Sequence, residues 1–549
     1  MKKILTVLAM VILTTTGALA QWKPSDTKYT IVCTDSVYQQ GSLKSLRTPQ
    51  GNTVVTWTEW PDGMNYNDPQ SGYYLRMQVY DKDGKTKFPQ GGIAISSRPT
   101  PSYITDYGLS LADNGDVVLA YFDSRNDEKK QNCEMYAYRY TQDGQPVWSK
   151  EGICFAPQIT HNRGSELNPM VVASGDNIFF GCYHTEYYQV KADSTNWEPS
   201  PYYPDEPMPD SITVEFDNFQ LQCMDAEGKF LWEQPAIFES MNVFPYAAPA
   251  GNLYLVYANA GDGLDAQLIN DKGENVWGKT VNVEKEPLSG GMFFPTPVIE
   301  SDGQGGLMFA YRRLLDWTGY IVINRLQSDG TVYEEPINCN GTTDGDGTNP
   351  KMGIKNDRAV VAWQYKTTKP GMMINELSLD GDYVWDGDSL LGYTVAENDQ
   401  WGVIPQKVIP QQNGWVLLYG DGQSWNGANF YVEKIDDNGR RMWKKQIAEN
   451  DFKSTGFAIT YDERNAYIFY TCDMETGDDW ETIPGPGGLR LMVVDITDAT
   501  NGIVTPSAME DEAQPIEFYN VQGMKMGDAK QSGLYIVKRG NSVKKMIVK

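Results

Sequence analysis

Eight short runs of consecutive apolar residues, each ending in an aromatic ring, punctuate the chain at intervals of about 59 residues. They read VVTW ending at Trp57, VVLAY at Tyr121, FFGCY at Tyr183 and LYLVY at Tyr257. The series continues as LMFAY at Tyr311, VVAW at Trp363, WVLLY at Tyr419 and AYIFY at Tyr470. Unbroken apolar runs of this length, bounded by turn residues, suit strands buried on both faces rather than strands with one wet side. A second marker lies downstream of each of the first seven runs: DKDG at Gly84, TQDG at Gly144, DAEG at Gly228, NDKG at Gly273, QSDG at Gly330, SLDG at Gly381 and DDNG at Gly439. Glycine supplies the positive φ that such hairpins need, and Asp or Asn tolerates the neighbouring position. Four residues past that glycine stands an aromatic: Phe88, Trp148, Trp232, Trp277, Trp385 and Trp443. The fifth unit departs, with Tyr333 three residues past its glycine.

Each unit therefore reads as four strands, with a turn marker between the third and fourth. Eight such units at this period predict an all-β chain, an eight-bladed β-propeller over residues 28–497. Seven blades is the alternative count, and an elongated sandwich array or solenoid is the competing architecture. The eighth unit has no marker of its own, because the pattern stops after Val493-Val494-Asp495-Ile496. A matching outer strand stands at the other end of the chain, Tyr29-Thr30-Ile31-Val32-Cys33, similar to Val276–Val281. Strand 29–34 is thus expected to complete the blade that contains Tyr470 and to latch the ring, leaving no free sheet edge between the blades. The DG-x-x-x-W element resembles the tryptophan-docking repeat of eight-bladed quinoprotein-like propellers. That resemblance implies a packing role. The adjacent cysteine pair of that family is missing, so no quinone cofactor is implied. Sialidase Asp-boxes space Asp, Gly and the aromatic differently, and neither WD dipeptides nor paired kelch glycines recur.

Charge narrows the partners. With 46 Lys+Arg against 72 Asp+Glu the chain carries −26, which repels nucleic acid and anionic membrane surfaces. Only 2 His argue against histidine catalysis and His-rich metal sites. Lys2 and Lys3 precede the apolar stretch Ile4–Leu13, and Ala18-Leu19-Ala20 fits a cleavage site. Residues 1–20 are thus expected to be a secretory signal peptide, with an uncleaved anchor the competing reading. No later segment reaches the length of a transmembrane helix. Seven cysteines, irregularly spaced and without CxxC, predict no dense disulfide framework and no zinc ribbon. One pair stands out. A two-residue hairpin turn at Asp143-Gly144 would set Cys133 opposite Cys154, so a disulfide between them is expected.

Residues 498–515 read as a linker, and beyond it the charge changes sign. From Ile516 to Lys549 there are seven Lys/Arg and two acids. The tail alternates like short strands: IEFYNVQG, then GLYIVKRG, then KKMIVK. Residues Tyr519–Gly523, Gly533–Val537 and the terminal Lys544–Lys549 resemble the C-terminal sorting domain of the type IX secretion system of Bacteroidetes. The resemblance covers residues 516–549, implies a small β-sandwich-like domain, and makes the type IX secretion machinery the expected partner. It places the mature chain outside the cell, secreted or on the outer-membrane surface.

In a propeller, connections between second and third strands emerge on one face together with those between blades. Here these connections vary most. Blade 1 offers Trp60 and Tyr66, blade 3 carries an insertion from Thr185 to Asp217 with Tyr187, Trp197, Tyr202 and Tyr203, and blade 8 carries Trp480. Flat rings beside carboxylates suit a glycan or peptide ligand. His184 and His161 read as structural or solvated, and Thr343-Asp344-Gly345-Asp346-Gly347 as an acidic turn lacking the calcium-loop pattern. No metal or cofactor is expected, and no catalytic residues can be chosen among the acids. The expectation is an exported binding or scaffold propeller. The alternative is a glycoside hydrolase or lyase using acids on the same rim.

Overall fold

The computed structural model describes residues 24–497 apart from several connections, the longest being 62–71, 97–105, 127–132, 160–168, 200–206, 289–296, 340–345, 395–402 and 422–427, and describes 516–548 apart from 520–524, 527–532 and 540–541. Eight four-stranded antiparallel sheets follow one another and form an eight-bladed β-propeller. Blade 1 illustrates the unit: Tyr38–Arg47 innermost, then Thr53–Pro61, Tyr74–Tyr80 and the short outer Ile93–Ala94. Blade 8 is built from both ends of this region. Its first three strands are Phe457–Tyr461, Asn465–Cys472 and Gly488–Asp495, and Thr30–Cys33 is the fourth. Thr30 faces Leu491 and Cys33 faces Leu489. The Val32 carbonyl accepts from Gly91 N–H of blade 1, at 3.0 Å, so the same strand also touches the next blade.

The apolar runs form the second strands, and their lack of alternation has a simple cause. Val118, Ala120 and Phe122 pack toward blade 3, while Val117, Leu119 and Tyr121 pack toward blade 1. Every second strand is thus buried on both faces, and the core is a ring of wedges between neighbouring sheets. One wedge joins Val32, Phe469 and Leu491 of blade 8 to Val55 and Trp57 of blade 1, which closes the circle.

The docking aromatics pin neighbouring blades at the rim. Indole N–H groups of Trp148, Trp232, Trp277 and Trp385 donate to Ala226, Asp271, Ser328 and Asp437 carbonyls, at 2.7–3.1 Å. Each acceptor sits two residues before the turn glycine of the next blade. The glycine completes the seat: a Cβ on Gly228 would lie 3.1 Å from Trp148, and one on Gly144 would lie 2.7 Å from Phe88. Tyr333, the departure in blade 5, reaches the equivalent Leu379 carbonyl with its hydroxyl at 2.5 Å.

The expected Cys133–Cys154 disulfide does not fit the register. Tyr140 pairs with Pro146, but the chain then turns at Ser149–Gly152 before the outer strand resumes. Cys154 falls opposite Tyr136, and two further register shifts bring Ile159 opposite Cys133. Cys133 stands three positions along its strand from Tyr136, about 10 Å, beyond disulfide reach.

Residues 516–548 form a separate four-stranded antiparallel sheet with Ile516–Tyr519 and Gly533–Arg539 at its centre and Lys525–Met526 and Ser542–Val548 at its edges. No helix among the described residues is long and apolar enough to cross a membrane.

Candidate functional site

Antiparallel meanders put the first-to-second and third-to-fourth turns of every blade on one face, and the remaining connections on the other. The tight-turn face is stapled. Arg139 holds Asp116 at 2.9 Å and reaches the Ala226 carbonyl of blade 3 at 2.8 Å. Arg325 holds Asp302 at 2.9 Å and the Leu379 carbonyl of blade 6 at 3.2 Å. Lys355 bonds Asp437, and Arg47 bonds Asp462, each across a blade boundary. These cations stitch the ring together.

The opposite face carries the long connections, and blade 3 dominates it. The sequence suggests a loop from Thr185 to Asp217; the structure instead continues the blade as a two-stranded ribbon. Asn177–Lys191 and Ser211–Met224 run to 15 and 14 residues and pair without interruption out to Lys191↔Ser211. Seven register pairs lie beyond His184↔Asn218, so the arm extends roughly 20 Å further than the blade needs. Gln189, Thr213 and Ser211 hydrogen-bond on one side of it, and Val190, Ile212 and Val214 alternate onto the other. At the tip, Asp193 accepts from the Thr195 N–H and hydroxyl at 2.8 and 2.5 Å, and Trp197 N–H donates to the Asp193 carbonyl at 3.0 Å. The two Thr195 bonds hold the Asp193 carboxyl below its usual range.

Of the aromatics singled out from sequence, Trp197 thus sits half-buried at the ribbon tip. Tyr187 lies within the ribbon, opposite Glu215. Trp60 stands one residue before the end of the second strand of blade 1, its ring 5.0 Å from Tyr73 and above Gly41, where a Cβ would meet it at 3.1 Å. Trp60 is therefore seated in its own blade. Tyr66, Tyr202, Tyr203 and Trp480 lie outside the described residues, as does His161. His184 stands at the root of the ribbon, its Nδ1 at 2.9 Å from Gln220. Asp346 ion-pairs with Arg312 at 2.7 Å and accepts from Gly319 N–H, so that carboxylate is engaged within blades 5 and 6. No group of metal-ligating side chains occurs among the described residues.

Blade 2 shows how a polar cluster on this face is neutralised. Asp123 is fully buried and takes the Arg125 guanidinium through bonds of 2.6 and 2.8 Å. Arg125 also donates to Tyr138 and lies over the Tyr136 ring. Burial, then the Glu134 hydrogen bond, pushes the Tyr136 hydroxyl far above its usual range, so it stays protonated. With Asp123 paired and Tyr136 protonated, the cluster offers no poised base among its described residues.

Sequence reasoning missed a second set of residues entirely, because they come one from each of five blades. Inner strands surround the propeller axis. Glu300 of Val298–Ser301 (blade 5) and Lys407 of Val403–Gln411 (blade 7) form an ion pair of 3.1 Å across the inner strand of blade 6. Lys351 of that intervening strand, Asp346–Lys355, feels both charges. Tyr246 of blade 4 and Tyr461 of blade 8 flank the trio and both feel Glu300. Only the alternation of isolated Lys and Glu in inner strands could have signalled this.

No family model matches the chain, and no curated protein matches it. Solved structures with similar folds exist. A Dyadobacter fermentans protein of unknown function aligns at 11% identity over 86% of this chain and 98% of its own, with a TM-score of 0.37. The polysaccharide lyase Uly1 aligns at 10% identity over 83% and 90%, TM-score 0.40. Trypanosoma rangeli sialidase aligns at 10% identity over 84% and 55%, TM-score 0.31.

Proposed function

We propose that this chain is an exported β-propeller that binds a glycan or peptide on the face bearing its long connections. The blade 3 ribbon carries the reading: an arm of seven extra register pairs adds nothing to closure of the ring, and it raises Tyr187 and Trp197 away from it. In this reading residues 1–20 direct export, residues 516–549 engage the type IX secretion machinery, and the mature chain works outside the cell or on its surface. A glycan-active hydrolase would use two carboxylates about 5–10 Å apart in the axial depression. The test is an array of bacterial and plant glycans and of peptides, probed with the wild-type chain and with a variant in which residues 186–216 are replaced by a short turn. Ligand capture by the wild type and its loss in the shortened variant is expected. Equal capture by both would remove the ribbon from the site, and turnover of a captured glycan would favour the enzyme.

A further inference from the structure

We infer that the axial channel holds a second ligand site, toward its tight-turn mouth, where Lys351 and Lys407 take the carboxylate of an acidic sugar. The placement follows from the strands. Tyr461 is the last residue of its inner strand and Glu300 the last but one, beside the tight turns, while Lys351 and Lys407 stand four residues before the ends of theirs, deeper in the channel. The site thus lies inside the channel toward the face opposite the ribbon, and the inference stands apart from the function proposed above.

Charge balance selects the ligand. Among the described residues of the trio, two ammonium groups face one carboxylate, in a protein that is otherwise strongly acidic. Burial, reinforced by Lys407 and opposed by Glu300, holds the Lys351 ammonium below the usual lysine range. A half-buried ammonium without an ion-pair partner among the described residues gains most from one incoming monoanion, which would complete an alternating square with Glu300 and Lys407. A carboxylate matches that charge; a dianionic phosphate exceeds it. The flanking groups favour a sugar as its carrier. Burial raises the hydroxyl pKa of Tyr246 and Tyr461, so both remain protonated. Tyr246 donates to the Ile299 carbonyl at 2.8 Å, which fixes its ring beside Glu300. Aromatic rings next to an ammonium pair suit a uronic acid, whose C–H face stacks while its carboxylate is bound.

The experiment titrates the full chain with trigalacturonate, with a neutral trisaccharide of the same length and with an acidic tripeptide, by calorimetry at low and high salt. Trigalacturonate alone is expected to bind, more weakly at high salt. Lys351→Met is expected to weaken it by about tenfold or more. Glu300→Gln, which removes the competing carboxylate from Lys407, is expected to strengthen it. The ribbon-shortened variant should bind trigalacturonate as the wild type does, which separates this site from the one proposed for the arm. Should Lys351→Met fail to fold, Glu300→Gln and the salt series decide. No binding of trigalacturonate at millimolar concentration, equal binding of the neutral sugar, preference for the peptide, or an unchanged affinity in a folded Lys351→Met chain would each overturn the inference.

Discussion

The docking tryptophans do two jobs with one side chain, and their substitution should separate them. Trp277 stacks on the turn of blade 5 and donates to the Ser328 carbonyl at 3.1 Å. Trp277→Phe keeps an aromatic ring and loses the bond, so a destabilisation of about 0.5–1.5 kcal/mol is expected by denaturant melting. Gly330→Ala attacks the same seat from the other side. Its φ is 86°, and the added carbon would stand 3.2 Å from the Trp277 ring. Left-handed backbone alone should cost about 1–2 kcal/mol there. Glu376 offers a test of opposite sign. It is fully buried, takes the Trp415 indole N–H at 3.1 Å on one oxygen, and leaves the other without a hydrogen bond. Burial raises its pKa against the pull of Arg358 and Trp415. The fold prefers the neutral form, so this contribution is complete at acidic pH and is lost as pH rises through the raised folded value. Glu376→Gln should therefore melt above the wild type at neutral pH and beyond, with the gap closing as the pH falls. Equal gaps at both ends of the range would show that the carboxyl does not titrate in this window.

Among the elements, the N-terminal strand is the one whose loss opens the ring. Val32 and Cys33 are buried in the wedge between blades 8 and 1, while Ile31 faces outward. Val32→Asp would bury a carboxylate there and is expected to cost about 2–4 kcal/mol, with protease cutting first near the N-terminus. Ile31→Asp, on the exposed side, serves as the silent control. The same scale explains why the cysteine pairing failed. Counting out from an assumed two-residue turn holds only while the ladder is regular. Here a turn at Ser149–Gly152 and two shifts between Cys133 and Tyr136 add residues to one strand, and the partners drift apart. Bulges of that kind leave no mark in apolar patterning.

For the whole molecule, the ribbon and the C-terminal tail make separate predictions. Shortening the ribbon should alter capture on the loop face and leave the melting temperature of the propeller nearly unchanged, because no described side chain of the arm beyond His184 joins a core cluster between blades. Removing residues 516–549 should leave a folded propeller that stays in the periplasm of a type IX secreting host; normal export of the truncated chain would end the sorting role.

Eight apolar runs, seven turn glycines and the offset aromatics were enough to set out the blades, because burial between two sheets forces an unbroken apolar run and a hairpin forces glycine, both local demands. The N-terminal strand betrayed itself in the same way, as a fourth strand missing from one unit and found at the other end of the chain. The ribbon was legible as an insertion but not as paired strands, since pairing depends on register between segments about twenty residues apart. The axial trio was not legible at all. Glu300, Lys351 and Lys407 lie in three different blades with no shared motif, and only closure of the ring brings their charges within reach of one another. Local propensity wrote the blades into the chain; the meeting of distant side chains at the axis is a property of the closed circle.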